Sequence, residues 1–158
     1  MKWVTRAHVH VDRVACPWLI SRFVDNNAEF VFVAPDIVDQ FAKDEVATPF
    51  DSEGAELGHQ DGHCSFVSIM DKYHLTEKAL LQLADVVNAA DTDQLDTNPY
   101  ASGLEALAQG FSLMYPDDTS NLEAQFAVYD ALYAFFRLKV ARENTQTHTS
   151  LTLETRIG

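Results

Sequence analysis

The sequence predicts a single compact α/β (α+β) domain, with a short sheet in its N-terminal portion and a mostly helical C-terminal half. Two observations predict this class. Strand-like alternation and short helical segments occupy the first half, whereas the second half carries apolar residues at helical spacing. The length of 158 residues suits one domain, and a hydrophobic content of 47% with ten Phe supplies enough apolar side chains for a core.

The first half predicts two strands before a long loop. Residues 3–11 alternate apolar and polar side chains, and residues 30–33 form a largely apolar run, so both segments predict strands. A short helix is predicted over 35–43. Residues 48–62 are rich in Gly, Pro, Asp and His, which predicts a loop with a short strand at its start.

Between the two strands, Pro17 marks a predicted helix start, because its fixed φ and missing N–H suit the first helical turn. This start places Cys16 at or near the N-cap. Free N–H groups there lower a thiol pKa and attract anions, and Arg13 and Arg22 could complete an oxyanion site with Cys16 as the reactive group. The alternative is that Cys16 packs as a small hydrophobe and Arg13 pairs with Asp12.

The second half predicts helices. Residues 77–90 carry one apolar stripe, and capping-box patterns at 102–105 and 120–123 predict two further helix starts. The last helix has its apolar residues at alternating spacings of four and three: Leu122, Phe126, Tyr129, Tyr133, Phe136 and Val140. We expect the domain to end near residue 143, with a polar tail over 144–158 that is disordered or forms a late strand.

The formal charge of −13 limits the partners that the chain can bind. Binding of nucleic acid by this chain alone is not expected, because it requires clustered Lys and Arg, and an anionic membrane surface is disfavoured for the same reason. The excess of acids over basic residues is concentrated between Lys78 and Arg137, where no Lys or Arg occurs, whereas the first 22 residues hold four basic residues and one acid. A small oxyanion therefore remains a candidate ligand.

The cellular compartment is predicted from three features that the sequence lacks: a membrane span, a signal peptide and a disulfide scaffold. No apolar run approaches the roughly 18 residues of a membrane span, and the N-terminus does not resemble a signal peptide. Two cysteines, Cys16 and Cys64, are too few for a disulfide scaffold. We expect a cytoplasmic protein with two free thiols. No Gly-rich nucleotide loop or nucleophile elbow is present, so no nucleotide cofactor is expected.

The loop after residue 50 concentrates side chains of the kinds that bind transition metals: Glu56, His59, Asp61, His63 and Cys64. Their spacing matches no standard zinc motif. Asp91 is predicted on the inner face at the end of the 77–90 helix, where a buried carboxylate needs a partner. We therefore predict a site for zinc, manganese or iron formed by Glu56, His59, Asp91 and Cys64. The alternative is a polar loop whose side chains only form hydrogen bonds.

A second histidine pair, His8 and His10, shares one face of the first predicted strand, with Asp12 beyond it. Paired strand histidines hold a metal in amidohydrolase barrels, but this chain is too short for such a barrel. A solvent-facing pair is the preferred interpretation.

Several blocks of the sequence resemble the chromate-resistance ChrB family, in particular its C-terminal domain. They include Trp3-Val4-Thr5-Arg6, Asp12-Arg13-Val14-Ala15-Cys16-Pro17-Trp18-Leu19-Ile20, Ala28-Glu29-Phe30, Pro49-Phe50-Asp51, Glu56-Leu57-Gly58-His59 and Tyr129-Asp130-Ala131-Leu132-Tyr133. The resemblance extends to about Arg137, and longer members carry a further region before this domain. The family pattern includes the candidate residues Arg13, Cys16, Arg22, Glu56, His59, Cys64 and Asp91, all present here.

The resemblance implies a role in bacterial chromate resistance, a stress response, as a chromate-sensitive regulator or a chromate reductase. Three hypotheses follow. The chain binds or senses a small oxyanion such as chromate with the help of a divalent metal; it is a metal-dependent or thiol-dependent enzyme; or it is an interaction module whose helical half packs in a homo-oligomer. The absence of a flavin or nicotinamide fingerprint favours the first over a self-sufficient reductase.

Overall fold

The computed structural model describes the backbone of residues 1–157 and the side chains of residues 1–149. A three-stranded parallel sheet lies at the N-terminal end, with β1 (Lys2–Arg6) between β2 (Glu29–Val33) and β3 (Thr48–Pro49). The three inner residues of β1 are fully buried, as expected for the central strand of a covered parallel sheet. The small sheet beside a mainly helical remainder confirms the α/β class.

Residues 1–157 form six α-helices: α1 (Val11–Phe23), α2 (Val38–Asp44), α3 (Ser65–Lys72), α4 (Lys78–Asp91), α5 (Ala101–Met114) and α6 (Asp118–Ile157). Short 3-10 turns precede α2 and α5. The predicted second strand, the short helix after it, the brief strand at the start of the loop and the helix over 77–90 are all confirmed.

The predicted start of α1 is wrong. The strand ends at Arg6, and the chain turns at His8, whose φ of 65° lies in the left-handed region. The helix then begins at Val11, so Pro17 lies in its interior and Cys16 is not at an N-cap. Nine residues of α1 are buried on several faces, so packing holds the helix despite the N–H that Pro17 lacks.

The long helix α6 packs mainly on α4 and also contacts α1 and α5. Its predicted apolar stripe is confirmed, with Leu122, Tyr129 and Phe136 buried. The two predicted capping boxes are wrong. Helix α5 begins one residue before Ser102, and α6 is capped by Asp117, whose carboxylate accepts hydrogen bonds from the backbone N–H and hydroxyl of one first-turn serine.

Helix α6 continues to Ile157, where the sequence predicted a late strand or a disordered segment from residue 144. Within residues 1–157, no helix combines the length and the apolar character that crossing a membrane requires.

Candidate functional site

Three carboxylates surround the imidazole of His59. Its Nε2 atom lies 2.9 Å from Asp91 Oδ2, 3.4 Å from Asp51 Oδ1 and 3.6 Å from Asp12 Oδ2. The side chains of Asp12, Asp51 and Asp91 are 1%, 4% and 13% exposed, whereas that of His59 is 48% exposed. We call these four residues the acidic cluster. The imidazole forms its solvent side, and the carboxylates form its buried floor.

Four separate segments supply the acidic cluster. Asp12 lies in the first turn of α1, Asp51 follows β3, and Asp91 is the last residue of α4. Because β1 and β3 are parallel neighbours, the segments that leave their carboxyl ends begin side by side. His59 lies on the loop that follows Asp51 and completes the cluster from the solvent side.

A tight turn carries this loop back over its own start. The Asp51 backbone has a φ of 43°, and its N–H donates to the Leu57 carbonyl over 2.9 Å. A Cβ atom at Gly58 would lie 2.9 Å from the Ser52 carbonyl oxygen, so glycine is required for this close approach. The left-handed conformation of Asp51 is a strained arrangement of the kind that accumulates at functional sites.

Asp12 holds α3 in place as well as facing His59. Its carboxylate accepts hydrogen bonds from the backbone N–H groups of Ser65, over 2.7 Å, and Phe66, over 3.1 Å, at the start of α3. The Cys16 thiol donates to the same carboxylate over 3.2 Å. Asp12 thus caps a helix from a distance of more than fifty residues along the chain, and this fixes the orientation of its two oxygens.

Two arginines neutralise Asp51 from the opposite side. Its Oδ2 atom lies 3.2 Å from an Arg6 nitrogen and 3.4 Å from an Arg13 nitrogen. Its Oδ1 atom accepts a hydrogen bond from the Ser65 hydroxyl over 2.8 Å. Asp51 is therefore the carboxylate of the acidic cluster that contacts arginine side chains, and it links the cluster to the two guanidinium groups.

Asp12 and Asp91 have only one positive partner between them, because the two arginines reach only Asp51. Burial and the charges of Asp12 and Asp51 raise the pKa of Asp91 from 3.8 to about 7. Burial and the charge of Asp12 also raise the pKa of Asp51, although its hydrogen bond from Ser65 and the two arginines oppose the shift. The interaction with Asp12, which outweighs partial burial, raises the pKa of His59 from 6.5 to about 9. These directions indicate a site that lacks positive charge.

Oxygen and nitrogen donors converge at this point in the way that a metal ion requires. One ligand atom from each of Asp12, His59 and Asp91 lies within 4.8 Å of the others. Two ligands bound to one zinc ion at about 2.1 Å lie roughly 3.4 Å apart at a tetrahedral angle, so small shifts would close the three around a cation. Two carboxylates and an imidazole suit zinc, manganese or iron.

The predicted metal ligands divide into two groups. His59 and Asp91 lie together, as expected. The Glu56 side chain is 70% exposed and pairs with Lys72 over 2.7 Å, away from the convergent donor atoms. Cys64 is buried just before α3, where its backbone N–H donates to the Asn88 side chain, and its thiol is not among those donor atoms.

The structure does not bring Arg13 and Arg22 together into one anion site. They lie nine positions apart on α1, so they face opposite sides of the helix, about 13 Å apart along its axis. Arg13 contacts Asp51 and donates to the His8 carbonyl, whereas Arg22 forms a bidentate pair with Asp130.

Cys16 is fully buried inside α1. Burial, with smaller effects from Asp12 and Asp51, raises the pKa of its thiol, which is the opposite of the lowering that a helix N-cap would cause. The predicted position at a helix start is therefore wrong, and the hydrophobic alternative describes the packing of Cys16. His8 and His10 lie after β1 rather than on it, and His10 approaches Glu105 at 3.7 Å.

Sequence reasoning missed Asp12 and Asp51 as members of the site. From the sequence, Asp12 is expected only to pair with Arg13 or to lie beyond the His8 and His10 pair. A usable signal existed, since each aspartate follows closely after a predicted strand of one parallel sheet, and the carboxyl ends of such strands meet at one edge.

A cavity of about 640 Å³ opens beside the acidic cluster. Its lining includes Arg6, Ser52, Glu53 and His59. The exposed side of His59 therefore faces a space large enough for a small ligand and its hydration water.

Comparisons with known proteins agree with the family resemblance. The family model described as "ChrB, C-terminal domain" matches residues 3–136. Protein ChrB of Cupriavidus metallidurans is 36% identical over 136 residues, which cover 85% of this chain and 40% of that relative. The chain thus spans less than half the length of the curated relative. No solved structure is significantly similar to it.

Proposed function

Because this chain belongs to the family of ChrB C-terminal domains, we propose that it is a chromate-resistance domain that binds a divalent transition metal and, through the metal, a small oxyanion such as chromate. The proposed metal ligands are Asp12, His59 and Asp91. Asp51, held by two arginines, orients the cluster from the next layer.

One observation carries the metal proposal: three donor atoms from distant segments converge in a pocket that is short of positive charge. Burying several carboxylates together costs stability unless a cation balances them. The Asp12 oxygens are fixed by two backbone N–H groups, so that carboxylate is already oriented as a ligand. A bound divalent cation would remove the charge imbalance that the raised pKa of Asp91 reflects.

The oxyanion part of the proposal depends on the metal. In the metal-free site the buried carboxylates of Asp12, Asp51 and Asp91 repel a dianion such as chromate. A divalent cation held by three protein ligands reverses the local charge and leaves a coordination position open toward the cavity. An anion is therefore expected to bind only to the metal-loaded protein.

A thiol-dependent reductase receives less support. Cys16 and Cys64 are both buried, and burial raises the pKa of both thiols, so neither is present as a reactive thiolate at neutral pH. The metal-based proposal uses neither cysteine.

Metal binding by matched histidine variants tests the proposal. Purified protein is stripped with a chelator and titrated with zinc and, separately, with manganese. We expect one metal ion per chain for the wild type and about 100-fold weaker binding for His59→Ala, because loss of one of three ligands removes about 2.7 kcal/mol of binding free energy. His63→Ala is the control, since His63 is exposed on the same loop and lies outside the acidic cluster.

Two results would contradict the metal proposal. One is a wild-type protein that binds neither metal at micromolar concentration. The other is equal weakening by His59→Ala and His63→Ala, which would mean that exposed histidines bind metal without a built site.

A further inference from the structure

We propose that Arg6, assisted by Ser52, binds the oxyanion in the cavity beside His59, in place of the Arg13 and Arg22 pair that the sequence predicted. This inference rests on the proposed function, because it assigns the second binding partner of an anion whose first partner is the metal. The ligand class is a small tetrahedral dianion that can bridge a metal ion and a guanidinium group.

The guanidinium group of Arg6 has N–H donors that its contacts with Asp51 do not use. It lies at the carboxyl end of β1, where its Nε donates to the Asp51 carbonyl over 2.9 Å and one terminal nitrogen donates to the Asp51 carboxylate over 3.2 Å. A guanidinium group carries five N–H donors in a planar fork, so three remain after these two bonds. The side chain is 37% exposed and lines the cavity together with His59.

Arg13 and Arg22 are less suitable than Arg6 for binding an anion in this cavity. Arg13 is 16% exposed, and its terminal nitrogens are engaged by Asp51 and by the His8 carbonyl. Arg22 uses its Nε and one terminal nitrogen on Asp130, and it does not line the cavity beside His59. Arg6 thus combines a fixed position, free donors and a place on the cavity wall.

Ser52 supplies an independent indication of a ligand. The residue is 9% exposed, lines the same cavity, and carries a buried hydroxyl that makes no hydrogen bond. A buried hydroxyl without a partner is unusual in a folded protein. An anion in this cavity would supply the acceptor that this hydroxyl lacks.

The charges around Arg6 explain why the site needs the metal. On the His59 side, Asp51 and Glu53 line the cavity. On the other side, Arg6, Ser52 and Glu53 line a second space together with Asp36 and Asp39. One guanidinium group cannot outweigh these carboxylates for a free dianion. A divalent cation at the acidic cluster adds two positive charges on the His59 side alone, so the anion is expected there.

Anion binding by the metal-loaded protein tests this inference. Equilibrium dialysis of the zinc-loaded wild type with sulfate and with chromate is compared with Arg6→Gln, Arg6→Lys and Ser52→Ala, and metal content is measured in the same samples. We expect about tenfold or greater weakening of anion binding in Arg6→Gln, because a charge-assisted contact is lost. Arg6→Lys should lie between it and the wild type, and Ser52→Ala should weaken binding about threefold.

Ser52→Ala removes no hydrogen bond of the protein, so it reports on the anion without disturbing the fold. Arg22→Gln is the matched control, since Arg22 is similarly exposed but pairs with Asp130. It should bind both anions as the wild type does.

The outcomes separate the two proposals. Normal metal binding in every variant, with equal anion affinity in Arg6→Gln and the wild type, would overturn the Arg6 inference and leave the metal site standing. Metal-loaded wild type that binds neither anion would overturn it together with the oxyanion part of the proposed function. Failure of the wild type to bind metal would contradict the proposed function itself.

Discussion

The two ends of α1 carry charged residues in contrasting environments. At the start of the helix, Asp12 belongs to the acidic cluster, which is buried and holds three carboxylates around one imidazole. At its end, Arg22 pairs with Asp130, and both side chains are more than two-fifths exposed. The hydrogen bonds from Arg22 and Trp18 lower the pKa of Asp130, whereas burial and like charge raise the pKa of Asp91.

The difference distinguishes a structural ion pair from a candidate binding site. Asp130 accepts a bidentate contact from Arg22 and a hydrogen bond from the Trp18 indole, so its charge is balanced at the surface. In the acidic cluster the arginines reach only Asp51, so the other two carboxylates share one imidazole. Burial and like charge disfavour the ionised forms of Asp51 and Asp91, which is expected of groups that hold a ligand rather than stabilise the chain.

The largest effect on stability is expected from Asp12→Ala. This change leaves the N–H groups of Ser65 and Phe66 without their acceptor inside the protein. We expect a loss of about 3 kcal/mol in the free energy of unfolding, measured by urea denaturation of the metal-free protein. Asp130→Asn, the counterpart in the exposed pair, keeps an acceptor for the buried Trp18 indole and should cost about 1 kcal/mol or less. Equal losses in the two variants would remove the distinction between the two groups.

The stability of the metal-free protein should depend on pH in a direction set by the acidic cluster. The pKa of Asp91 is raised from 3.8 to about 7, so the stability that its protonated form contributes is complete below 3.8 and is lost as pH rises through 7. The pKa of His59 is raised from 6.5 to about 9, so its contribution is complete below 6.5 and is lost as pH rises through 9. Denaturation in the presence of a chelator should therefore show a fall of a few kcal/mol between about pH 5 and 9, most of it from Asp91, because solvent screens the half-exposed His59.

Saturating metal should reverse this trend, because the ligands bind in their deprotonated forms and binding releases protons. A metal-free stability that rises steadily from pH 5 to 9 would contradict the charge imbalance ascribed to the cluster.

Asp91→Asn should stabilise the metal-free protein at pH 8 by on the order of 1–3 kcal/mol, because it removes a carboxylate that is ionised there at a cost. The amide oxygen can still accept the hydrogen bond that Asp91 receives from the Asp12 backbone N–H. At pH 4 the difference from the wild type should nearly vanish, which is measured by parallel urea titrations. Destabilisation at pH 8 would show that Asp91 is held by favourable contacts instead.

The smallest effect is expected from Arg22→Gln. The pair that Arg22 forms with Asp130 is exposed, and the Trp18 hydrogen bond to Asp130 remains. We expect a loss below about 1 kcal/mol that shrinks when salt is raised, which thermal unfolding at low and high ionic strength would measure. A loss as large as that of Asp12→Ala would contradict this expectation, because the exposed pair would then stabilise the protein as much as the buried contacts of Asp12 do.

The sequence predicted helices and strands correctly where the spacing of apolar residues marks the buried face of the element. The strand after residue 29, the helix over 77–90 and the stripe through Tyr129 all follow from apolar spacing. The predicted start of α1 is wrong. The preference of Pro17 for a first helical turn is outweighed by the packing of a helix that is buried on several sides. Helix α3 was missed because its start depends on Asp12, a cap far away in the sequence.

The candidate site was predicted in part. His59 and Asp91 were identified from residue type and from the inner face of a helix. Glu56 was included because it is close to His59 in sequence, yet the turn around Gly58 directs its side chain to Lys72. Asp51 was missed because its role becomes apparent only when the strand before it is placed beside β1 in one parallel sheet.

The most direct measurement is the position of a metal in crystals of the full chain grown with zinc or manganese, located by anomalous scattering at the absorption edge of that metal. The account predicts one strong peak bounded by Asp12, His59 and Asp91, which Asp91→Asn crystals lack or show at reduced height. A peak beside Glu56 or Cys64, or full occupancy in the Asp91→Asn crystals, would contradict it.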